Sequence, residues 1–260
     1  LLGALAPALA IRFGRNACAL AAGAVTLSAL IVLGTMVPGV MRGEVFTASL
    51  PWIPALGLNA SLFLDPLGLM FAGMILGIGL LIILYARFYL AAADPMGRFF
   101  TYLLLFQGAM LGIVLSDNVL LLLIFWELTS LSSFLLIGFN HAEERSRRSA
   151  IQALVVTGLG GLSLLAGLLV IWNITGVSEM SLLLSTGNLL RDSPFFIAAF
   201  VLVLGGDVIR GFVFAITWGV VVGTYSSVYV AKNVVLFLGV KRDWSKKDNN
   251  NTGQYANIDA

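Results

Sequence analysis

Glu127 has the type and position best suited to chemistry in this sequence. It lies in FWELTSLSSF, near the middle of an apolar run over residues 119–139. A charged side chain at the centre of a membrane helix costs about 3 kcal/mol on insertion scales, so such groups face a bundle interior or a watery cavity. Burial favours the protonated form of a carboxyl, and a nearby cation or water chain favours the ionised form. A carboxyl balanced between the two can load and unload protons; the structural alternative is a protonated or hydrogen-bonded Glu. Ser130 lies one turn along the helix, with Thr129, Ser132 and Ser133 adding polarity, and Thr157 in the next apolar run could line the same path. The site expected from the residues is therefore a proton path of Glu127, Ser130 and Thr157, with no catalytic, cofactor or metal group.

The remaining reactive types narrow the chemistry. Cys18 is the only cysteine and lies in an apolar run, so no disulfide forms within one chain, and the residue reads as a buried small apolar group. His141 is the only histidine, which excludes multi-histidine metal sites and a Ser/His triad in the membrane core. The glycine run GLGG at 158–161 sits inside an apolar helix and is no phosphate cradle. Gly73 and Gly77, like Gly219 and Gly223, are spaced as small-residue helix contacts.

The elements that must position these residues follow from composition. Of 260 residues 59% are apolar and 11% charged, against about 25% charged in soluble domains. Mean hydropathy is +0.98 and the net charge is +2. A soluble enzyme, a disordered chain and a nucleic-acid reader are excluded, and an all-α polytopic membrane protein is expected. Apolar runs at residues 17–37, 67–90, 99–115, 119–139, 151–172 and 212–238 predict six full spans. Residues 1–10 read as a partial first helix and 194–204 as a half-helix. Residues 38–66, with four prolines, read as an extramembrane loop holding a small hairpin. Asp65-Pro66 opens the next helix as cap and first turn, and Asp117 and Asn118 read as caps in a short turn.

Basic residues set an orientation. Arg12 and Arg15, Arg87 and Arg98, and Arg145, Arg147 and Arg148 mark three loops that fall on one side if the spans alternate, whereas the intervening loops carry only Arg42 and Arg191. The Arg-rich side is expected to be cytoplasmic.

The run LSDNVLLLLIFWELTSLSSFLLIGF over residues 115–139 resembles the antiporter-like subunits of Mrp-type monovalent cation/proton antiporters and respiratory complex I. ALVVTGLGGLSLLAGLLVI at 153–171 and GLNASLFLDPLGLMFAGMI at 57–75 extend the likeness, which is to the large A subunit in particular and covers residues 1–204. The resemblance implies a transporter subunit, not an enzyme, in the cell inner (plasma) membrane. Its implied partners are other Mrp subunits, protons and a monovalent cation, sodium, with no cofactor and no nucleic acid. In that family a Glu of the fifth helix works with a Lys of the seventh on a proton path. Glu127 stands at the Glu position; after FVLVL at 200–204 the sequence continues GGDVIRGF, and the first Lys is Lys232.

Residues 205–240, GGDVIRGFVFAITWGVVVGTYSSVYVAKNVVLFLGV, resemble instead the end of SecF, a protein-export subunit. All four lysines, Lys232, Lys241, Lys246 and Lys247, fall in this last part of the chain. The organisation read here is an antiporter-like module at 1–204, a SecF-like last helix at 205–240 and a polar cytoplasmic tail at 241–260. Asp207 and Arg210 read as an interfacial turn. The alternatives to the antiporter reading are a SecF-type export component with SecD/SecY as partners, or a non-functional chimeric or truncated membrane protein.

Overall fold

The structure is a computed structural model that describes residues 1–91 and 94–204. The expected span at 212–238, the SecF-like stretch, the tail, Asp207, Arg210, Gly219 and Gly223 lie outside the described residues.

A short helical run over Leu2–Phe13, whose α-helical part is α1 (Ala6–Ala10), leads into α2 (Arg15–Met41). The hairpin strands β1 (Phe46–Ile53) and β2 (Leu58–Leu64) follow, then α3 (Pro66–Tyr89), α4 (Met96–Leu115), α5 (Val119–Ile137) and α6 (Glu144–Thr175). Short helices α7 (Met180–Leu183) and α8 (Gly187–Arg191) precede α9 (Phe196–Leu204). Helices α2 to α6 are the 5 among the described residues long and apolar enough to cross a membrane. The chain is thus a helical polytopic membrane protein, with one two-stranded hairpin among the described residues.

Local chemistry sets the helix ends. Asp65 Oδ1 accepts from Gly68 N at 2.6 Å, with Pro66 in the first turn of α3. Two boundaries differ from expectation. Pro38 lies inside α2, three residues before its end, because a proline removes one backbone bond without stopping a helix that is otherwise favoured. Helix α6 starts seven residues before the apolar run, since its first two turns are charged and hydropathy does not register them; Arg148 and Glu144 pair there at 2.7 Å.

One core gathers Cys18, Ala22, Ile83, Ala86, Met96, Phe100 and Leu104, with Ala4 of the opening helical run packed among them. Cys18 is fully buried and its Sγ donates to the Pro7 carbonyl at 3.3 Å. Deeper in the bundle, Thr26 Oγ1 donates to Gln107 Oε1 at 3.0 Å, and Gln107 Nε2 donates to the Ile75 carbonyl at 3.1 Å. This buried polar tie joins α2, α3 and α4, and it explains Gly79: a Cβ there would run into the Gln107 amide. Gly73 and Gly77, by contrast, make no tight helix contact. Spacing alone did not identify which glycine is packed.

The Arg-rich loops do share one end of the bundle. Arg15 donates to the carbonyls of Leu90 at 3.0 Å and Asp94 at 3.2 Å, tying the start of α2 to the end of α3. A cavity at the same end is lined by both Arg98 and Arg147.

The other end is clamped by the turn between α4 and α5. Asp117 N donates to the Ser61 carbonyl of β2 at 2.9 Å, and Val119 N to the Ser178 carbonyl at 2.9 Å. Asn118 caps α5, its Oδ1 accepting from Leu120 N and Leu121 N. Asp117 does not cap as expected. Its carboxylate accepts from Ser181 N at 2.7 Å and Ser181 Oγ at 2.8 Å, because residues 178–181 supply nearer donors than α5 does.

Candidate functional site: the carboxylate of α5

Glu127 is the ninth of the 19 residues of α5, about two turns from its start and about three from its end. The clamp at Asn118 fixes where α5 begins, and the pairing of α5 with α6 fixes its rotation. Val119 and Leu123 on α5 pack on Leu168 of α6, with Leu164, Leu165 and Val203 around them. One turn beyond Leu123, the same side of α5 brings Glu127 to Gly161 of α6.

That meeting is close. A methyl group placed on Gly161 would collide with Glu127 Oε1 and lie 3.1 Å from both Cδ1 and Nε1 of Trp126. The missing side chain at Gly161 therefore leaves the room that the carboxylate and the indole edge occupy. The other glycines of the run, Gly158 and Gly160, have nothing near enough to meet a Cβ. The run is a single-purpose contact at its last residue.

Neither polar group at this contact has a partner among the described residues. Trp126 Nε1 is buried and has no hydrogen-bond acceptor among the described residues. Glu127 makes no hydrogen bond or ion pair among them, and its side chain is exposed on the open flank of the α5–α6 pair. A buried N–H without a partner costs about 1–3 kcal/mol, and a charge in a membrane span costs more. An arrangement that leaves a donor and a carboxylate at one glycine is suited to a bound water, or to a polar partner group, that exchanges protons with the carboxyl.

Ser130 and Thr157 have other partners. Ser130 is buried and its Oγ donates to the Trp126 carbonyl at 3.3 Å, one turn back. Thr157 Oγ1 donates to the Ala153 carbonyl at 2.9 Å. Thr157 lies one turn before Gly161 on α6, so it shares the face that meets Glu127. Trp126 was not singled out in the sequence, and Gly161 only as part of the GLGG run, whose glycines would let helices approach closely or bend. An aromatic beside an acid and the last glycine of an apolar run carry no pattern until α5 and α6 are set side by side. Among the described residues no group of three His, Cys, Asp or Glu converges on a metal site.

Gly161→Ala tests the contact. The added methyl meets the end of the flexible Glu127 side chain and lies 3.1 Å from the Trp126 ring, a crowding that offsets the helix preference of about 1 kcal/mol for alanine over glycine. The variant is expected to melt near the parent temperature in mild detergent, while the carboxyl band of Glu127 moves in the infrared difference spectrum. A band identical to the parent's would show that Glu127 does not use this space.

Comparisons with known proteins bear on the whole module. The family model described as "NADH:quinone oxidoreductase/Mrp antiporter, TM" matches residues 116–231. The model described as "NADH-Ubiquinone oxidoreductase (complex I), chain 5 N-terminus" matches residues 52–100. The A/B subunit of a probable K(+)/H(+) antiporter of Rhizobium meliloti is 44% identical over 192 residues, 74% of this chain and 19% of that protein. The A1 subunit of the Na(+)/H(+) antiporter of Staphylococcus aureus is 44% identical over 176 residues, 68% of this chain and 22% of that protein. The chain thus spans about a fifth of the length of these relatives. Among solved structures, the Mrp complex from Dietzia sp. DQ12-45-1b matches with TM-score 0.64 and 32% identity, over 78% of this chain and 21% of the matched chain. The membrane-bound sulfane sulfur reductase, an archaeal respiratory membrane complex, shares the fold alone, with TM-score 0.66 and 20% identity over 78% of this chain and 41% of its own. Over residues 52–100 and 116–231 the chain is similar to membrane segments of the NADH:quinone oxidoreductase and Mrp antiporter subunits that these models describe.

Proposed function

We propose that this chain acts as a membrane subunit of a multisubunit monovalent cation/proton antiporter in the plasma membrane, with Glu127 as a proton-carrying carboxylate. The observation that carries the reading is the unpaired carboxylate in mid-span, packed on Gly161 beside the buried Trp126 N–H. The open flank of Glu127 is where a polar helix or a partner Mrp subunit would supply the cation or water that an ionised carboxylate requires. Thr157 and Ser130 would line the approach. The relatives are named for potassium and for sodium, and both ions are cargo candidates.

The activity belongs to the assembly, so the test uses the full chain together with the remaining Mrp-type subunits in everted membrane vesicles. Adding sodium or potassium is expected to dissipate an imposed pH gradient in a manner that depends on this chain. Vesicles that behave the same with and without the chain would overturn the reading. The protein-export alternative has only the wording of residues 205–240 behind it, and the antiporter family match runs through that stretch as far as residue 231.

A further inference from the structure

At the Arg-rich end of the bundle, a cavity of about 290 Å³ opens between α4, α5 and α6. Its polar lining is Arg98, Tyr102, His141 and Arg147; its apolar walls include Phe134 and Ile151. We propose that this cavity binds the phosphate headgroup of an anionic membrane lipid, with the start of the acyl region against the apolar walls.

The charge is one-sided. Among the described residues no carboxylate lines the cavity. The nearby acids are engaged elsewhere: Glu144 pairs with Arg148 at 2.7 Å, and Glu143 accepts from Asn140 Nδ2 at 3.3 Å. Arg147 is held in place by its own loop, donating from Nη1 to the His141 carbonyl at 2.7 Å and the Ala142 carbonyl at 3.3 Å. This leaves its other N–H groups free to face an anion. Arg98 is exposed and makes no hydrogen bond or ion pair among the described residues. Two guanidinium groups around one small opening repel each other unless an anion sits between them. Guanidinium groups bind phosphate oxygens in a planar, two-pronged geometry.

Depth selects the source of the phosphate. Arg98 is the third residue of α4, Phe134 lies in the last turn of α5, and Arg147 and Ile151 are the fourth and eighth residues of α6. The cavity therefore sits at the level where membrane helices end and lipid headgroups begin. A soluble anion would have no use for the apolar walls, whereas a glycerophospholipid presents phosphate and hydrocarbon in that order. Basic pockets between helices on the cytoplasmic side are a recurring way to hold acidic headgroups. The inference rests on the membrane fold and not on the transport reading.

The test uses the full chain in phosphatidylcholine nanodiscs doped with spin-labelled phosphatidylglycerol or spin-labelled phosphatidylcholine. The motionally restricted fraction seen by electron paramagnetic resonance reports lipid held by the protein. The parent is expected to prefer phosphatidylglycerol, and Arg98→Gln to lower that preference about fivefold, the effect of one basic contact near the surface. Arg98→Lys should keep part of it. Arg148→Gln removes the same charge outside the cavity and should leave the preference intact. Equal losses for Arg98→Gln and Arg148→Gln would reduce the effect to diffuse attraction and overturn the site. Displacement of the labelled lipid by millimolar inorganic phosphate would reassign the cavity to a soluble anion and overturn the lipid assignment.

Discussion

Glu127→Gln is expected to abolish cation-coupled proton movement while leaving the fold intact. Glutamine has nearly the same shape, so it fills the same space beside Gly161 and Trp126. It cannot release a proton. Glu127 makes no ion pair or hydrogen bond among the described residues, so little native structure depends on its charge. Removing a carboxylate from mid-span also eases insertion by about 3 kcal/mol at most. Stability in mild detergent should therefore be unchanged or higher. A positioned acid or base contributes about a hundredfold or more to a proton-transfer step. Cation-driven flux in vesicles holding the assembled complex should fall at least that far, to background. Glu127→Asp keeps the acid but withdraws it by one methylene from Gly161, and an intermediate rate is expected. Trp126→Phe keeps the ring and removes only the unpaired N–H, and its loss should be smaller than that of Glu127→Gln. Parent-level coupling in Glu127→Gln would remove the carboxylate from the proton path.

The elements of this fold were legible wherever one residue type dominates its surroundings. Apolar runs located all five spans of the described region, because membrane helices must be continuous and nonpolar. Asp65-Pro66 located the start of α3 because its capping is entirely local. The distribution of arginine placed three loops at one end, and the contacts of Arg15 agree. Pairings between distant segments were not legible. Nothing near Gly79 announces Gln107, which lies 28 positions on, and nothing near Gly161 announces Glu127, 34 positions before it. Glycine spacing pointed instead to Gly73 and Gly77, which are not tightly packed. A glycine's role depends on which helix faces it, and hydropathy does not carry that information. Asp117 and Asn118 show the same limit. Both are competent caps by type, and only the position of Ser181 decides that one of them leaves the helix.

Asn118→Ala is expected to be the most destabilising single substitution at the hairpin end, at about 3 kcal/mol. Asn118 is 0% exposed and uses both ends of its amide. Its Nδ2 donates to the Gly57 carbonyl at 2.9 Å, and its Oδ1 accepts from Leu120 N at 3.0 Å and Leu121 N at 3.2 Å. Alanine loses the helix cap, freeing two amide N–H groups at about 1 kcal/mol, and strands the Gly57 carbonyl at about 1–3 kcal/mol more. The Gly57 carbonyl matters because its residue is held tightly. Gly57 has φ +66°, and a Cβ there would lie 2.7 Å from the Trp172 ring, so it has little freedom to turn its carbonyl toward another donor. Asn118→Asp separates the two roles. Aspartate caps as well as asparagine but, when ionised, sets a carboxylate oxygen against the Gly57 carbonyl, so its shortfall reports the lost donor together with that repulsion and the buried charge. Reversible unfolding in mild detergent checks both values, and an Asn118→Ala cost below about 1 kcal/mol would mean that the cap alone was lost. The effect should also reach the proton path. Asn118 starts α5 nine residues before Glu127, with no proline or glycine between them to absorb a shift. A helix that slips or frays at Asn118 moves the carboxylate along α6, away from Gly161. Proton coupling in Asn118→Ala should therefore fall at temperatures well below its unfolding transition, whereas Asn118→Asp, with the cap kept, should retain most of it.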